Sequence, residues 1–123
     1  MIPVMSGIIE NWGIDFMSEN HNKSICGEIY DSTQFAEGKL IYTSIIDNIF
    51  IEHNYLSKET GVNPLIIIQT INNSKYILGK ISNNFKEYLE FLLKDNKLCK
   101  DTYSLDTPQG IINSIKWYLN NNN

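Results

Sequence analysis

Two kinds of hydrophobic pattern follow one another along the chain, with strand-like alternation in the first two thirds and helical spacing in the last third. In segment 84–94 the apolar residues recur every three to four positions, at Phe85, Tyr88, Leu89 and Leu92. Asn84 followed by Glu87 resembles a capping box, so we predict that Asn84 caps this helix.

A second helical pattern follows Thr107 and Pro108, a good N-cap and a good first helical residue. Its apolar stripe consists of Ile111, Ile112, Ile115, Tyr118 and Leu119. Two amphipathic helices at the end of a chain need an apolar surface to cover, and the preceding strands supply it. This order predicts a segregated α+β fold.

The strand patterns fall into three stretches. Alternation at Trp12, Ile14 and Phe16 and again from Ile25 to Tyr30 predicts a hairpin over 12–30. The stretch 39–52 is rich in Ile, Tyr and Phe, and Asp47-Asn48 in its middle offers a bend or a bulge, so it is one kinked strand or two. Segments 65–71 and 76–81 flank the turn 72–75 and predict a second hairpin.

These elements predict an antiparallel, strongly bent sheet of five to six strands, bent enough to approach a barrel, with two amphipathic helices in the C-terminal third. At 123 residues the chain has the size of one domain. We predict a single domain over residues 1–119 and a disordered tail at 120–123, which is all asparagine.

The composition indicates the cellular environment in which the protein works. The longest apolar run, 65–68, is far shorter than the ~20 residues of a membrane span, and no signal segment is visible. Cys26 and Cys99 belong to no metal or redox motif, and we expect both to be reduced and buried. We therefore predict a cytoplasmic protein without membrane contact.

Charge is distributed unevenly along the sequence. The net charge is −4 overall, but residues 1–60 hold nine carboxylates against three lysines, while residues 61–123 hold five against seven. All ten basic residues are lysine, so the chain has no arginine, whose planar guanidinium group is the one most used to recognise nucleic acids. We expect no nucleic acid as partner; the acidic half either solubilises the protein or faces a basic protein.

The sequence offers no grouped catalytic residues. It has no P-loop, GxGxxG, GxSxG, HExxH or EF-hand motif. We interpret His21 and His53 as solvated loop residues, and Glu87 with Glu90 as a solvated helix face rather than a metal or acid–base pair. We therefore expect no enzyme activity, no cofactor and no metal.

Three tyrosines are candidates for contacts with a partner, because tyrosine combines apolar area with a hydroxyl that tolerates water. Tyr30 and Tyr42 lie in strand patterns, which favour a core or half-core position for both. Tyr55 lies in the long polar connection 53–63, beside Leu56, and is the expected exposed anchor.

Two stretches of the chain carry a family resemblance. Segment 25–45 contains Phe-x-x-Gly-x-x-Ile-x-Thr-Ser from Phe35 to Ser44, and segment 69–79 reads QTINNSKYILG. This pattern resembles small bacterial proteins of prophage-like and polymorphic-toxin neighbourhoods, where acidic immunity proteins are abundant. The resemblance implies an immunity protein that binds and neutralises a cognate toxin.

We therefore predict an immunity protein whose acidic surface covers a basic toxin such as a nuclease. A protein-binding adaptor, phage-encoded or housekeeping, remains the alternative, and the sequence leaves the oligomeric state open. The predicted partner-binding residues are Glu28, Asp31, Glu37, Asp47, Glu52, Tyr55 and Glu59.

Overall fold

A computed structural model describes residues 5–14, 23–52 and 64–121. Within these ranges the chain forms six strands and two helices. The strands are β1 (Gly7–Ile14), β2 (Ile25–Tyr30), β3 (Lys39–Tyr42), β4 (Ile46–Glu52), β5 (Leu65–Thr70) and β6 (Lys75–Leu78). The helices are α1 (Asn83–Asp95) and α2 (Pro108–Asn121). The predicted α+β class is confirmed.

The six described strands form one mixed sheet in the order β3-β2-β1-β6-β5-β4. Each half of the sheet is an antiparallel meander, as predicted, but the halves join through a parallel pairing of β1 with β6, in which Ile8 lies opposite Ile77. The expectation of a wholly antiparallel sheet was therefore wrong. Turn residues predict only local, antiparallel pairings, whereas β1 and β6 meet across more than sixty residues of chain.

The predicted strong bend follows from the short connection between β3 and β4. These strands are the two edges of the sheet, which if flat would be about 24 Å wide. From Tyr42 to Ile46 a fully extended chain reaches at most about 14 Å. The edges must therefore converge near the connection, where the Ile46 N–H donates to the Lys23 carbonyl at 2.8 Å. The sheet does not close into a barrel.

The pairing of β1 with β2 confirms the first predicted hairpin, but β1 begins at Gly7, earlier than predicted, and Phe16 lies outside the described residues. The register slips between Glu10 and Gly13, and Asn11 adopts a left-handed φ of 52°. This bulge lies over Gly27, where an added Cβ would stand 2.6 Å from Ile9 Cγ2 and 2.8 Å from the Glu10 carbonyl oxygen. The sharp change of strand phase therefore requires glycine at position 27.

Segment 39–52 is two strands, and the break lies at Thr43–Ile45 rather than at Asp47-Asn48. Thr43 is buried, and its Oγ1 accepts the Ile25 N–H at 3.0 Å and donates to the Ser44 carbonyl at 2.8 Å. The bulge predicted at Asp47-Asn48 is confirmed within β4, where the register against β5 shifts between Ile46 and Asn48.

The second predicted hairpin is confirmed by the pairing of β5 with β6. Its turn contains Asn73 at φ 68°, a conformation that asparagine tolerates better than most residues. The return strand begins at Lys75 and ends at Leu78, so it is shorter than the predicted 76–81.

The two helices pack on one face of the sheet and complete the core. α1 buries Phe85, Leu89 and Leu93, and Ser82 rather than the predicted Asn84 is its N-cap, since the Ser82 hydroxyl accepts the Phe85 N–H at 3.1 Å. Thr107 caps α2 as predicted: its Oγ1 accepts the Gly110 N–H at 3.0 Å. The ring of Phe85 lies 5.7 Å from Tyr118 and 6.2 Å from Trp12, which ties both helices to β1.

Three further observations concern the C-terminus, the cysteines and the membrane-spanning potential of the helices. α2 continues through Asn120 and Asn121, two residues of the predicted tail, and 122–123 lie outside the described residues. Cys26 is half-buried and Cys99 exposed, so the expectation that both are buried was wrong. Over the described ranges, no helix has the length and apolarity needed to cross a membrane.

Candidate protein-binding surface

The sheet has two chemically different faces. Alternation along the strands directs Ile9, Ile29, Ile41, Ile68 and Leu78 toward the helices, where they are buried. The opposite face, which we call the outer face, holds the residues between them. Paired positions on neighbouring strands share a face, so Glu10 and Glu28, Glu28 and Leu40, and Cys26 and Tyr42 are neighbours there.

Three carboxylates gather around Tyr30 at one end of this outer face, and a fourth, that of Asp31, belongs to the next residue of the chain. Glu10 lies directly opposite Glu28 on the adjacent strand. The Tyr30 hydroxyl donates to Glu28 Oε1 at 3.3 Å. Asp31 follows Tyr30, and Glu37 comes close enough to act on the Tyr30 hydroxyl electrostatically. We call these four carboxylates and Tyr30 the acidic corner.

The loop between β2 and β3 holds Glu37 in place. Asp31 adopts φ 55°, and its N–H donates to Glu37 Oε1 at 2.8 Å. Gly38 then takes φ 79°, and its N–H donates to the Ile29 carbonyl at 2.7 Å. A Cβ on Gly38 would lie 3.5 Å from the Tyr30 hydroxyl, so the turn passes directly beside that ring. The left-handed residues therefore bend the loop back over the end of β2.

Glu10 is fixed from the other side by the join between the two halves of the sheet. The Lys80 N–H donates to Glu10 Oε2 at 3.1 Å. Gly79 lies beneath the same carboxylate, where an added Cβ would overlap Glu10 Oε1. The Gly79 N–H donates to the Ile9 carbonyl at 2.8 Å and its carbonyl accepts the Trp12 Nε1 hydrogen at 3.0 Å. The position of this carboxylate is therefore set by the β1–β6 pairing.

No lysine of the described ranges forms an ion pair with the acidic corner. Across 5–14, 23–52 and 64–121, the one ion pair joins Lys86 to Asp106 at 3.5 Å, at the helices. The charge of Glu28 is the main cause that raises the pKa of Tyr30 above its ordinary value of 10.0, with smaller contributions from desolvation, the Glu28 hydrogen bond, Glu10 and Glu37. The corner therefore presents a negative potential to an approaching molecule.

Large apolar side chains lie beside the acidic corner, at the β3 edge. Leu40, opposite Glu28, is 61% exposed, and Tyr42, two residues further along the same face, is 49% exposed. The outer face is not exposed throughout, since Ile67 on β5 is fully buried. Exposed apolar area therefore adjoins the carboxylates, an arrangement typical of a protein-binding surface.

The predicted partner-binding residues do not all come together. Glu28, Asp31 and Glu37 lie in the acidic corner. Asp47 lies in the bulge of β4, at the other edge of the sheet, and lines a cavity of about 270 Å³ together with Lys23 and Lys116. Glu52 is half-buried at the end of β4, and Tyr55 and Glu59 lie outside the described residues. The lysines beside Asp47 offset its charge, so we assign it no part in the acidic corner.

Two residues of this surface, Glu10 and Leu40, were missed in the sequence. Glu10 precedes the predicted strand because the bulge at Asn11 breaks the alternation on which that prediction rested. Leu40 was read only as part of a strand of undecided length, whereas Tyr42 was a candidate partner contact for which the strand pattern favoured a core position, and it is 49% exposed. Once β2 and β3 are paired in register, Glu10, Glu28 and Leu40 lie in one row across three strands.

Elsewhere in the part of the chain that the structure describes, there is a cavity lined by a cysteine but no metal-binding group of side chains. His21 and His53 lie outside the described residues, and among those described no group of three His, Cys, Asp or Glu side chains is placed to hold a metal ion. Cys99 lies in a cavity of about 580 Å³ at the end of α1. Hydrogen bonds from Thr102 and the Asp101 backbone lower the pKa of its thiol. Glu87 and Glu90 are exposed on α1.

Comparison of the chain with protein-family models, with curated proteins and with solved structures finds no match.

Proposed function

We propose that this protein works by contact, as an immunity protein that binds and neutralises a basic toxin through its acidic corner. The observation that carries the proposal is the set of carboxylates around Tyr30, which form no ion pair within the described ranges and lie next to exposed Leu40 and Tyr42. A free protein gains nothing from two carboxylates placed directly opposite each other, because like charges in cross-strand pairs are destabilising. A basic partner would remove that cost on binding.

The charges and the apolar side chains have different roles in this proposal. The negative potential of Glu10, Glu28 and Glu37 steers a basic partner toward the corner and raises the association rate. Tyr30, Leu40 and Tyr42 supply apolar area that loses water in the complex and slows dissociation. Such a complex inhibits a toxin by covering its active site or the path of its substrate.

A growth assay tests the proposal directly. The product of the gene immediately upstream is expressed with and without this protein. The double variant Glu28→Lys/Glu37→Gln changes the charge of the corner by three units, and the glutamine amide oxygen keeps an acceptor for the Asp31 N–H. The matched control, Glu87→Lys/Glu90→Gln, makes the same charge change at exposed positions of α1, on the other side of the sheet.

We expect the upstream product to arrest growth, the wild-type protein and the α1 control to restore it, and the corner variant to fail. An upstream product without toxicity would contradict the immunity function and favour the adaptor alternative. Equal protection by the corner variant and the α1 control would contradict the role of the acidic corner.

A further inference from the structure

The β3 edge offers backbone hydrogen-bonding groups as well as side chains. The Thr43 N–H donates to the Ile25 carbonyl at 2.9 Å, and pairs in an antiparallel ladder alternate between bonded and non-bonded. Ile41 is therefore the bonded partner of Gly27, and the N–H and C=O of Leu40 point away from β2. No strand of the described sheet lies beyond β3. At Leu40 the edge accordingly presents one donor and one acceptor to a further strand.

The two edges of the sheet differ in their protection against such pairing. β4 contains the Asp47 bulge and packs against α2, and bulges and covering helices are known protections of an edge strand. β3 contains no proline, and its register against β2 does not shift between Lys39 and Tyr42. Its protections are its length of four residues and the charge of Lys39, which pairs with Ile29 on the face that the helices cover, so that the outer face of β3 carries no charge of its own. β3 is therefore the less protected edge, and it is also the one beside the acidic corner.

The side chains around this edge indicate the chemistry of the strand that would pair with it. Leu40 and Tyr42 offer apolar area on the outer face, and Glu28 and Glu37 add negative charge next to it. A strand with alternating apolar and basic residues fits this face, because all of its basic residues can lie on the outer face, where their charges reach Glu28 and Glu37 and their aliphatic stems cover Leu40 and Tyr42. The short β3 allows about four paired residues.

A second copy of this chain fits the edge less well. Its own β3 would present Leu40 and Tyr42, but it would also bring its Glu28 and Glu37 to the same face. Both copies carry a net charge of −4, so their corners would repel each other.

We propose that β3 receives an extended, basic segment of the partner as a seventh strand, so that binding is by β-strand addition. This inference rests on the proposed function, since it names how the acidic corner engages a basic protein. The backbone of Leu40 provides directional hydrogen bonds, while Glu28 and Glu37 select lysine or arginine in the incoming strand.

The test uses the whole protein and a defined probe, an end-capped peptide of four Lys-Val repeats. A peptide of four Lys-Gly repeats has the same charge without strand propensity, and one of four Glu-Val repeats has the opposite charge. Binding is followed by NMR titration, with the exchange rate of the Leu40 amide as a second readout. Leu40→Ala and Leu40→Pro both remove the leucine side chain, but only the proline removes the outward N–H, and proline is tolerated at an edge.

We expect the Lys-Val peptide to bind and to slow exchange of the Leu40 amide, and the other two peptides to bind much more weakly. Leu40→Pro should bind the Lys-Val peptide about fivefold more weakly than Leu40→Ala, the effect of one lost backbone hydrogen bond. If Leu40→Pro does not fold, protection of the Leu40 amide in the wild-type protein decides the question.

Four results would overturn the inference. These are equal affinity of the proline and alanine variants, equal binding of the Lys-Gly peptide, no binding of the Lys-Val peptide at millimolar concentration, and a dimer of the free protein that Leu40→Pro dissociates. The last result would identify a second copy as the occupant. If Glu28→Lys/Glu37→Gln still abolishes growth protection in those cases, the proposed function stands and only strand addition fails.

Discussion

Glu10 and Glu28 lie directly opposite each other on neighbouring antiparallel strands, on the face of the sheet away from the helices. Each has a neutral partner: the Lys80 N–H donates to Glu10 and the Tyr30 hydroxyl to Glu28. Hydrogen bonds to neutral donors position the carboxylates without cancelling their charges. Repulsion between the two carboxylates therefore lowers the stability of the free protein, and the pair holds negative charge at its surface.

Neutralising one member of this pair should stabilise the free protein. Glu28→Gln keeps an acceptor for Tyr30 and removes the repulsion, so we expect the free energy of unfolding to rise by about 0.2–1 kcal/mol at low salt. Urea denaturation at low and high ionic strength measures this gain, which should shrink as salt screens the pair. Glu87→Gln, at an exposed helical position, is the control and should change little. A loss of stability in Glu28→Gln would contradict this account of the pair.

The same substitution should lower the pKa of Tyr30, because the charge of Glu28 is the main cause that raises it. A raised pKa means that the folded chain keeps the phenolic proton at pH values where the unfolded chain has lost it. Its contribution to stability is complete below the ordinary pKa of 10.0 and is lost as the pH rises through the folded-state value. Glu28→Gln should therefore weaken the fall in stability above pH 10.

NMR titration of the Tyr30 ring checks this prediction residue by residue. Glu90→Gln on α1 provides the control and should leave the Tyr30 curve unchanged. An unshifted Tyr30 curve in Glu28→Gln would show that the Glu28 carboxylate does not act on this ring in solution.

The position of the first helix cap can be tested with two alanine variants. Ser82→Ala removes the hydroxyl that accepts the Phe85 N–H and should destabilise the protein by about 1 kcal/mol. Asn84→Ala, two residues later on the exposed helix surface, should be neutral or slightly stabilising, because alanine has the higher helix propensity. Thermal unfolding of both variants measures the difference. The reverse order of stabilities would restore Asn84 as the cap.

Gly110 in the first turn of α2 should tolerate no side chain. An added Cβ would stand 1.9 Å from the Ser104 carbonyl oxygen, which belongs to backbone and cannot rotate away. Gly110→Ala should therefore cost about 2 kcal/mol or more despite the gain in helix propensity, as overpacking of a core does. Chemical denaturation against Gln109→Ala, an exposed neighbour in the same turn, isolates the steric effect. Equal stability of the two variants would contradict the close approach of α2 to Ser104.

The parts of the fold that the sequence predicted well are local. The predicted turn 72–75 falls on the connection 71–74, where Asn73 adopts a positive φ between two apolar strands, and Thr107-Pro108 begins α2 in the usual way. Each of these features is decided within a few residues, by turn or cap chemistry. The parallel pairing of β1 with β6 depends instead on which apolar strands meet in three dimensions, and no short segment contains that information.

The candidate site was only partly predictable for a related reason. A count of charges identified the acidic half of the chain, and Glu28, Asp31 and Glu37 do lie together. Glu10 was not predicted as a site residue because the bulge at Asn11 shifts the strand alternation by one residue. Ile9 and Trp12 are three positions apart, yet both are buried in the core. Asp47 was predicted to belong to the partner-binding surface but does not, because Lys23 and Lys116 lie beside it. These lysines come from distant parts of the chain, so no local pattern reveals them.

The central claim is that the acidic corner is the surface that meets a basic partner, and the salt dependence of the association rate tests it most directly. Binding of the inactivated upstream gene product is followed by stopped flow from about 0.03 to 0.3 M salt, a range over which screening changes strongly. We predict that association of the wild-type protein and of Glu87→Lys/Glu90→Gln slows steeply with salt, and that Glu28→Lys/Glu37→Gln associates slowly with a much flatter dependence. Equal rates and equal salt slopes for all three proteins would contradict the claim.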